Sequence, residues 1–228
     1  MRRHLVLTVT TALVLLTVVA TGAAEFTART LIQNRVARAA PALGDDVTVG
    51  VAGDWALWGL AHRSVPRLDI SSDDARLGPL SQVRVRARLD DVRLGGRPGV
   101  GSSHVEVTVP TRSLAAAIRT AAPAVAVASV TADPSRGTVL AAVGPGGAGQ
   151  LTLRPVLADG KVTLAVDGLT VLGRPVPADR LGMGEGVLGP GPGAPKDYPI
   201  GLTATSVRVR PDGLHITLAG GHSPLPAA

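Results

Sequence analysis

The chain has 228 residues, no cysteine and a formal net charge of +6. The absence of cysteine excludes disulfides and thiolate metal sites, so the fold must be stable without covalent cross-links. About 200 residues remain after the apolar N-terminal segment described next, which is enough for a single sizeable core and does not require two domains.

An uncharged segment from Leu5 to Ala24 follows Arg2 and Arg3. As a helix rising about 1.5 Å per residue, it matches the ~30 Å hydrocarbon core of a bilayer. The same residues also fit a signal peptide. Both interpretations predict export with the N-terminus in the cytoplasm. We therefore expect 1–24 to be a signal peptide or membrane anchor, and 25–228 to be one domain outside the cytoplasm, attached to the cell membrane or secreted to the cell envelope.

The charge balance gives an expectation about partners. Arg2 and Arg3 precede the apolar segment and all 17 acidic residues follow it, so the outer domain has a net charge of +4. Outside the cytoplasm, anionic phospholipid headgroups and envelope polymers are the acidic partners for such a surface, and nucleic acid is not expected. A solubilising surface charge with no partner explains the same balance.

The N-terminal half of the domain predicts a short helix at 25–40 and then several strands. Val47–Ala52 and Val65–Ser71 are typical of strands. From Val83 to Leu89, apolar residues alternate strictly with arginines, which predicts one buried and one exposed face. The apolar positions change parity at Asp90-Asp91, which predicts a β-bulge there.

Another strand carries Val105, Val107 and Val109, and a helix follows it in the sequence TRSLAAAIRTAA, with Thr111 as its expected N-cap. The C-terminal half predicts antiparallel strands joined by turns at 133–137, 159–160 and 211–213, with another turn at Asp167-Gly168. A Gly/Pro-rich loop at 182–199 precedes an expected strand from Ile200 to Val209. The pattern indicates an α+β fold, mainly antiparallel, with one or two packed helices after the N-terminal membrane-spanning or signal helix.

No sequence motif indicates catalysis. The segment GPGGAG at 144–149 has G-x-G-x-x-G spacing, but Pro145 removes an N–H and a strand pattern follows, so a hairpin loop is the better interpretation. Nucleophile-elbow, zinc-protease and P-loop motifs are absent, and the outer histidines have no ligand-like spacing. We expect no enzyme activity, no metal and no cofactor, although a serine triad assembled only in space remains open.

Two tryptophans stand out in a chain with few aromatic residues. Trp55 and Trp58 are spaced three residues apart and would share one face of a helical turn. Indole rings favour the headgroup zone of membranes, which suggests an anchor beside a lipid entrance. Two buried core tryptophans explain the same residues. Arg63 and Arg67 follow closely and could contact phosphate, or simply be solvated.

Several phrases of the domain resemble the LmeA-like family of phospholipid-binding proteins of actinobacterial cell envelopes. They are VTVGVAGDWALWGL, VRVRARLDDVRLGG, VTVPTRSLAAAI and YPIGLTATSVRVRPDGLHITLAG. The resemblance covers nearly the whole outer domain. The chain departs from the family pattern at Trp55 and Trp58, where Phe-rich phrases are common, and in its long Gly/Pro loop before Tyr198.

The resemblance implies a fold akin to tubular lipid-binding domains, in which a curved sheet and a helix enclose an apolar groove, and it implies no enzyme activity. We expect non-catalytic binding of phospholipid, anionic in preference, at the outer face of the cytoplasmic membrane. The headgroup residues would be Arg63 and Arg67. The expected acyl-chain contacts are Trp55, Leu57, Trp58, Leu60, Leu114, Ile118, Ile200 and Leu202.

Two other classes of function fit the same pattern. One is a structural or interaction module of the envelope with a filled core, and the other is an envelope hydrolase. Apolar alternation does not distinguish a filled core from a lined cavity, because both require the same periodicity. The lipid specificity, the cleavage of the leader and the oligomeric state are not encoded in these patterns.

Overall fold

The computed structural model describes residues 47–52, 64–77, 79–93, 98–121, 123, 125–176 and 198–224. Within them the chain forms two antiparallel sheets and one α-helix, which confirms the mainly antiparallel α+β class. The leader, the helix expected at 25–40 and most of the Gly/Pro-rich loop lie outside the described residues. None of the described helices has the length and apolar character needed to cross a membrane.

The elements follow one another in a simple order. They are β1 (Val47–Ala52), β2 (Ser64–Leu77), β3 (Leu80–Arg93), β4 (Gly99–Val100), β5 (Ser102–Pro110), α1 (Thr111–Ala121), β6 (Val127–Asp133), β7 (Thr138–Val143), β8 (Gly149–Ala158), β9 (Lys161–Val171), β10 (Arg174–Val176), β11 (Thr203–Arg210), β12 (Gly213–Gly220) and β13 (Ser223–Pro224). Short 3₁₀ turns lie at Pro145–Gly147 and Pro199–Gly201.

Sheet one has eight strands in the order β1-β2-β3-β5-β12-β11, with β4 pairing with both β3 and β13. Sheet two has five strands in the order β10-β9-β8-β7-β6. Strand β11 contacts sheet two, and α1 packs on β6, β3 and β5. The helix therefore fills the space at one side of the two sheets, as an amphipathic helix with a buried apolar face must.

Most buried residues belong to one main cluster. It contains the inner faces of both sheets and the apolar side of α1, and its fully buried members include Val83, Val109, Leu114, Val139 and Leu153. Aliphatic residues dominate it, as the composition predicts. The alternation expected at 83–89 is confirmed, since Val83, Val85 and Leu89 are buried and the arginines between them are exposed.

A second, smaller cluster lies at the other end of sheet one. Its buried members come from β1 to β4 and are Val49, Val65, Leu68, Leu89, Val92 and Val100. Among the described residues, only Ile200 packs against it from outside these strands. Sheet one therefore buries its inner face in two separate patches.

The predicted β-bulge at Asp90-Asp91 is wrong. The pairing of β2 with β3 runs through Leu68–Leu89, Arg67–Asp90 and Val65–Val92 with no change of register. Asp91 instead has a φ of 54°, and β2 changes its buried parity at the same place. A left-handed backbone conformation, which aspartate tolerates, reverses which side chains face the core without adding a residue to the strand. Register shifts occur further along, between Ser72 and Leu77.

The turn predicted at Asp167-Gly168 is also wrong, because both residues lie inside β9. The register with β8 shifts between Thr152 and Leu153, so Asp167 is the extra residue of a bulge. The strand expected from Ile200 to Val209 begins at Thr203. Strand β2, expected at Val65–Ser71, extends over Ser64–Leu77. The short strands β4, β10 and β13 were not predicted from the sequence.

The other predicted turns are confirmed. Residues 133–137 join β6 to β7, residues 159–160 join β8 to β9, and residues 211–213 join β11 to β12. The GPGGAG segment is the connection of the antiparallel pair β7–β8, as expected for a hairpin loop. Asp159 and Gly160 both have positive φ, which is the geometry of a type I′ turn.

Replacement of Gly213 tests the close approach of β12 to β5. Gly213 has a φ of 141°, and a Cβ at this position would collide with the Val109 carbonyl oxygen. We expect Gly213→Ala to lower the free energy of unfolding by about 3 kcal/mol, since neither backbone can move apart without breaking the sheet. Gly221→Ala is the control because its Cβ would meet open space. Equal thermal melts for the two variants would contradict this close approach.

Candidate functional site

The inner face of sheet one is unevenly covered. A row of register partners crosses the sheet through Val49, Ile70, Ala87, Val105 and Leu218. The outer members of the row are buried, but Ile70 and Ala87 are only half-buried. Ile70 packs against the smaller cluster and Ala87 against the main cluster. The apolar face is therefore partly open where the two clusters meet.

We call this partly open region the apolar seam. Its members are half-buried apolar residues that pack against one or both clusters and come from β1, β2, β3, β9 and the turn before β11. They are Val47, Ile70, Ala87, Val162, Tyr198 and Ile200. Half-buried aliphatic and aromatic side chains are the kind of surface that lines sites for apolar ligands.

Hydrogen bonds hold the turn before β11 between the two sheets. The backbone N–H of Val162 donates to the Tyr198 hydroxyl at 3.3 Å, which ties the turn to sheet two. The Ala204 N–H donates to the Gly160 carbonyl at 2.7 Å. On the other side, a Cβ at Gly201 would lie 3.6 Å from the Ser223 hydroxyl, so the turn also touches β13. The turn is fixed at both ends of the seam.

Ile200 occupies an unusual backbone conformation at the centre of this turn. Its φ of 52° and ψ of 35° are left-handed, and β-branched residues are genuine outliers there. Ile200 also packs against both clusters. Backbone strain of this kind persists only where the surrounding structure enforces it, and it is concentrated at functional sites. The position of this apolar side chain is therefore maintained against its backbone preference.

A pair of basic side chains lies beside β4, at the end of β3 and the start of β13. The Arg93 guanidinium is 3.3 Å from Nδ1 of His222, and both side chains are exposed. His222 precedes Ser223, which pairs with Val100 and lies next to Gly201. Because Val92 and Ser223 are buried, their neighbours Arg93 and His222 point away from the smaller cluster, at the edge where β3 and β13 flank β4. We call this edge the rim, and a phosphate could meet the guanidinium there. The two residues are 129 positions apart in the chain, so no local pattern predicts their contact.

The expected acyl-chain residues divide into three groups. Leu114, Ile118 and Leu202 come together, but they are buried inside the main cluster, with Leu114 2% and Ile118 1% exposed. Ile200 alone among the described ones is half-buried and lies in the seam. Trp55, Leu57, Trp58, Leu60 and the headgroup residue Arg63 lie outside the described residues. The lipid-contacting role of all these residues stays a prediction.

The expected headgroup residue Arg67 is on the outer face of sheet one, away from the seam. Its guanidinium donates to Asp90 at 2.9 Å, and that hydrogen bond raises the pKa of Arg67. Two arginines of β3 are held in the same way, Arg88 by Asp69 and Arg84 by Asp212. These exposed ion pairs leave the three arginines partly neutralised, which makes them weaker headgroup contacts than Arg93.

A histidine and an aspartate are paired on that outer face. His215 Nε2 lies 2.7 Å from Asp212 Oδ1, and this hydrogen bond lowers the pKa of Asp212. The hydrogen bonds of the described residues give His215 no serine or threonine hydroxyl as a partner, so they assemble no catalytic triad around it. Within the same residues, no group of three or more acidic, histidine or cysteine side chains could hold a metal ion.

A surface pocket of about 360 Å³ lies apart from the seam. It is between the end of α1 and the start of β6, and its lining includes Arg119, Pro123, Val125, Ala126 and Gly144. The Arg119 guanidinium donates to the Val127 carbonyl across it at 3.2 Å. It is open to solvent, and small residues make up most of its lining.

The sequence profile of one protein family, described as LmeA-like phospholipid-binding, matches residues 19–219, which is most of the chain. No curated protein sequence and no solved structure matches the chain significantly. The match includes every seam residue and ends one residue before the end of β12, so the two sheets, apart from β13, and the half-buried apolar region are parts of the matched domain. The chain belongs to the LmeA-like phospholipid-binding family, and its partner is lipid.

Proposed function

We propose that this protein binds phospholipid outside the cytoplasm without catalysing a reaction, and that the acyl chains lie along the apolar seam. Burial of each CH₂ group contributes about 0.8 kcal/mol, so a few methylenes in contact with the seam suffice for reversible binding. The protein side of this contact is aliphatic, with the single hydroxyl of Tyr198 already engaged by the backbone of β9.

The observation that carries the proposal is the position of Ile200. Its side chain packs against both core clusters from a left-handed backbone that isoleucine disfavours. A turn selected only for stability would place glycine or asparagine at such a φ. An apolar side chain kept there supports a role in contact with an apolar ligand.

The headgroup would be held at the rim by Arg93 and His222. A guanidinium presents several N–H donors in a planar fork that suits phosphate oxygens. Arg93 has no carboxylate partner among the described residues, whereas Arg67, Arg84 and Arg88 each have one. This difference favours Arg93 over the three paired arginines as the phosphate contact, with anionic phospholipid preferred.

The location and the absence of catalysis rest on the sequence. The segment from Leu5 to Ala24 fits an anchor or signal peptide that exports residues 25–228. No catalytic motif accompanies it. A ligand-free structural module of the envelope is the alternative, and lipid content distinguishes the two.

Lipid extraction and mass spectrometry of the purified full chain test the proposal through Ile200→Asn. Asparagine tolerates the left-handed backbone, so we expect a stability change of less than about 1 kcal/mol. We expect Ile200→Asn to lose a phospholipid that the unaltered chain and Ile200→Val retain. Lipid held by an N-terminal anchor is the same in all three proteins, so the difference reports the seam.

Leu114→Ala, compared with Ile200→Asn, separates a role in the core from a role in lipid binding. Truncation of this buried side chain should lower the free energy of unfolding by about 2–5 kcal/mol, because it leaves a cavity in the main cluster. The seam proposal would be contradicted if Ile200→Asn kept its full lipid content, or if none of the folded proteins carried any phospholipid.

Arg93→Gln tests the rim. We expect the variant to bind short-chain phosphatidylglycerol about fivefold more weakly, the loss of about 1 kcal/mol typical of an exposed charge contact, while phosphatidylcholine binding changes less. The effect should shrink as salt rises, since exposed charges are screened. Arg112→Gln is the matched control because Arg112 is an exposed arginine on α1. Equal losses for both variants, measured by isothermal titration calorimetry, would contradict a specific phosphate contact.

A further inference from the structure

Three connections of the chain meet at one end of sheet two. The connection from α1 to β6, the loop from β7 to β8 and the turn from β9 to β10 all lie there because adjacent antiparallel strands alternate in direction. Backbone hydrogen bonds join them. The Gly144 N–H donates to the Ala126 carbonyl at 2.7 Å, and the Leu172 N–H donates to the Ala148 carbonyl at 3.0 Å. We call this end the apolar tip.

The tip exposes apolar side chains to an unusual degree. Leu172 is 80% exposed and Val171 39% exposed, and two of the three large hydrophobic residues exposed in the described part of the chain are therefore adjacent here. Pro123, Ala126, Pro145 and Ala148 are exposed beside them. Exposed apolar residues gathered in one patch mark interaction sites, whereas single ones are ordinary.

Leu172 is also held in an unfavourable backbone conformation. It has a φ of 50° and Gly173 has a φ of 76°, so the β9–β10 turn requires two left-handed residues. Asparagine or aspartate followed by glycine is the preferred pair at such a turn. A leucine there costs stability without burying its side chain, so folding alone does not account for it.

The charges of the tip are of one sign. The segments 119–128, 143–150 and 169–176 contain two arginines, Arg119 and Arg174, and no acidic residue. Both residues are exposed, although Arg119 Nε–H donates to the Val127 carbonyl, and no carboxylate pairs with either arginine among the described residues. Apolar side chains at the end of a hairpin with arginines behind them complement an anionic bilayer, whose headgroups attract the cations while the apolar groups enter the interface.

We propose that the apolar tip docks on an anionic phospholipid bilayer, with Leu172 inserted into the interface and Arg119 and Arg174 among the headgroups. This rests on the proposed function, since a protein that binds phospholipid must meet the membrane that supplies or receives it. Val162 in the seam and Leu172 at the tip are at opposite ends of β9, about 30 Å apart at ~3.3 Å per residue. Docking through the tip therefore leaves the seam uncovered.

A fluorescent label on the full chain tests the docking. The chain has no cysteine, so Ala148→Cys gives a single labelling site at the tip and Ser135→Cys gives one in the β6–β7 turn at the other end of sheet two. In vesicles of phosphatidylglycerol and phosphatidylcholine containing a nitroxide-labelled lipid, we expect the label at 148 to shift to the blue and be quenched. The label at 135 should show neither change.

Leu172→Asn, added to the 148-labelled protein, should remove most of the quenching without lowering the thermal melt, because asparagine suits a left-handed turn position. Leu157→Asn is the matched control, since Leu157 is an exposed leucine at the far end of sheet two. Quenching should also be weaker with vesicles of phosphatidylcholine alone, because these lack the anionic headgroups that attract the two arginines.

Equal quenching at 148 and 135, or quenching that is unchanged in Leu172→Asn, would overturn the docking proposal. A blue shift that depends on protein concentration and needs no vesicles would identify self-association through the tip and would also overturn it. The phospholipid content of the Leu172→Asn protein is measured in parallel. If Leu172→Asn keeps its lipid but loses the quenching, docking is a property separate from lipid binding. If the label is quenched in a chain that carries no phospholipid, the proposed function is contradicted and the docking proposal stands.

Discussion

Among the described residues, the inner face of sheet one is wider than the area that sheet two and α1 cover, and this mismatch shapes the described part of the fold. Eight strands present apolar residues on one side, whereas sheet two has five strands and α1 is a single short helix. The main cluster is buried where these elements overlap, and the smaller cluster forms separately among β1 to β4. Burial of apolar area drives folding, so a sheet with excess apolar face must find another cover or leave the surface for a ligand.

The turn before β11 connects the two clusters that this mismatch leaves separate. It begins with Tyr198, which is tied to β9, and it ends as Leu202 enters the main cluster. Between them Ile200 spans the two clusters from a left-handed backbone. The same few residues thus join the sheets and place an apolar side chain in the seam. The function of lipid binding would then depend on an element that the fold needs in any case.

Local patterns in the sequence were sufficient for the strands and turns with strong signals. Alternation at Val83–Leu89 and the Asp133, Asp159 and Asp212 turns were predicted correctly, because period-two burial and left-handed turn residues are local properties. The two errors, at Asp91 and Asp167, share one cause. A change of parity arises from a bulge or from a left-handed residue, and an Asp-Gly pair forms a turn or part of a bulge. In both cases the pairing across the sheet decides between the two structures.

The candidate site was less predictable than the fold. Leu114, Ile118 and Leu202 have the same apolar character as Ile200, but only the tertiary packing shows that the first three are enclosed and the last is partly open. Arg93 and His222 are separated by more than half of the chain and meet only because β13 returns to β4. The residues next to them in the sequence form no pattern that predicts this contact. Arg67 was a reasonable choice from sequence, but it lies opposite its buried neighbour Leu68 on the outer face of sheet one, where Asp90 pairs with it.

Photochemical cross-linking tests the central claim most directly. A phospholipid with a diazirine near the end of one acyl chain, loaded on the full chain and activated, marks the side chains that the acyl chain touches. Peptide mass spectrometry should locate the adducts at the seam, on Ile70, Val162 or Ile200. Adducts confined to the outer face of sheet one, around Arg86 and Glu106, would contradict acyl-chain binding in the seam, and so would adducts that Ile200→Asn leaves unchanged.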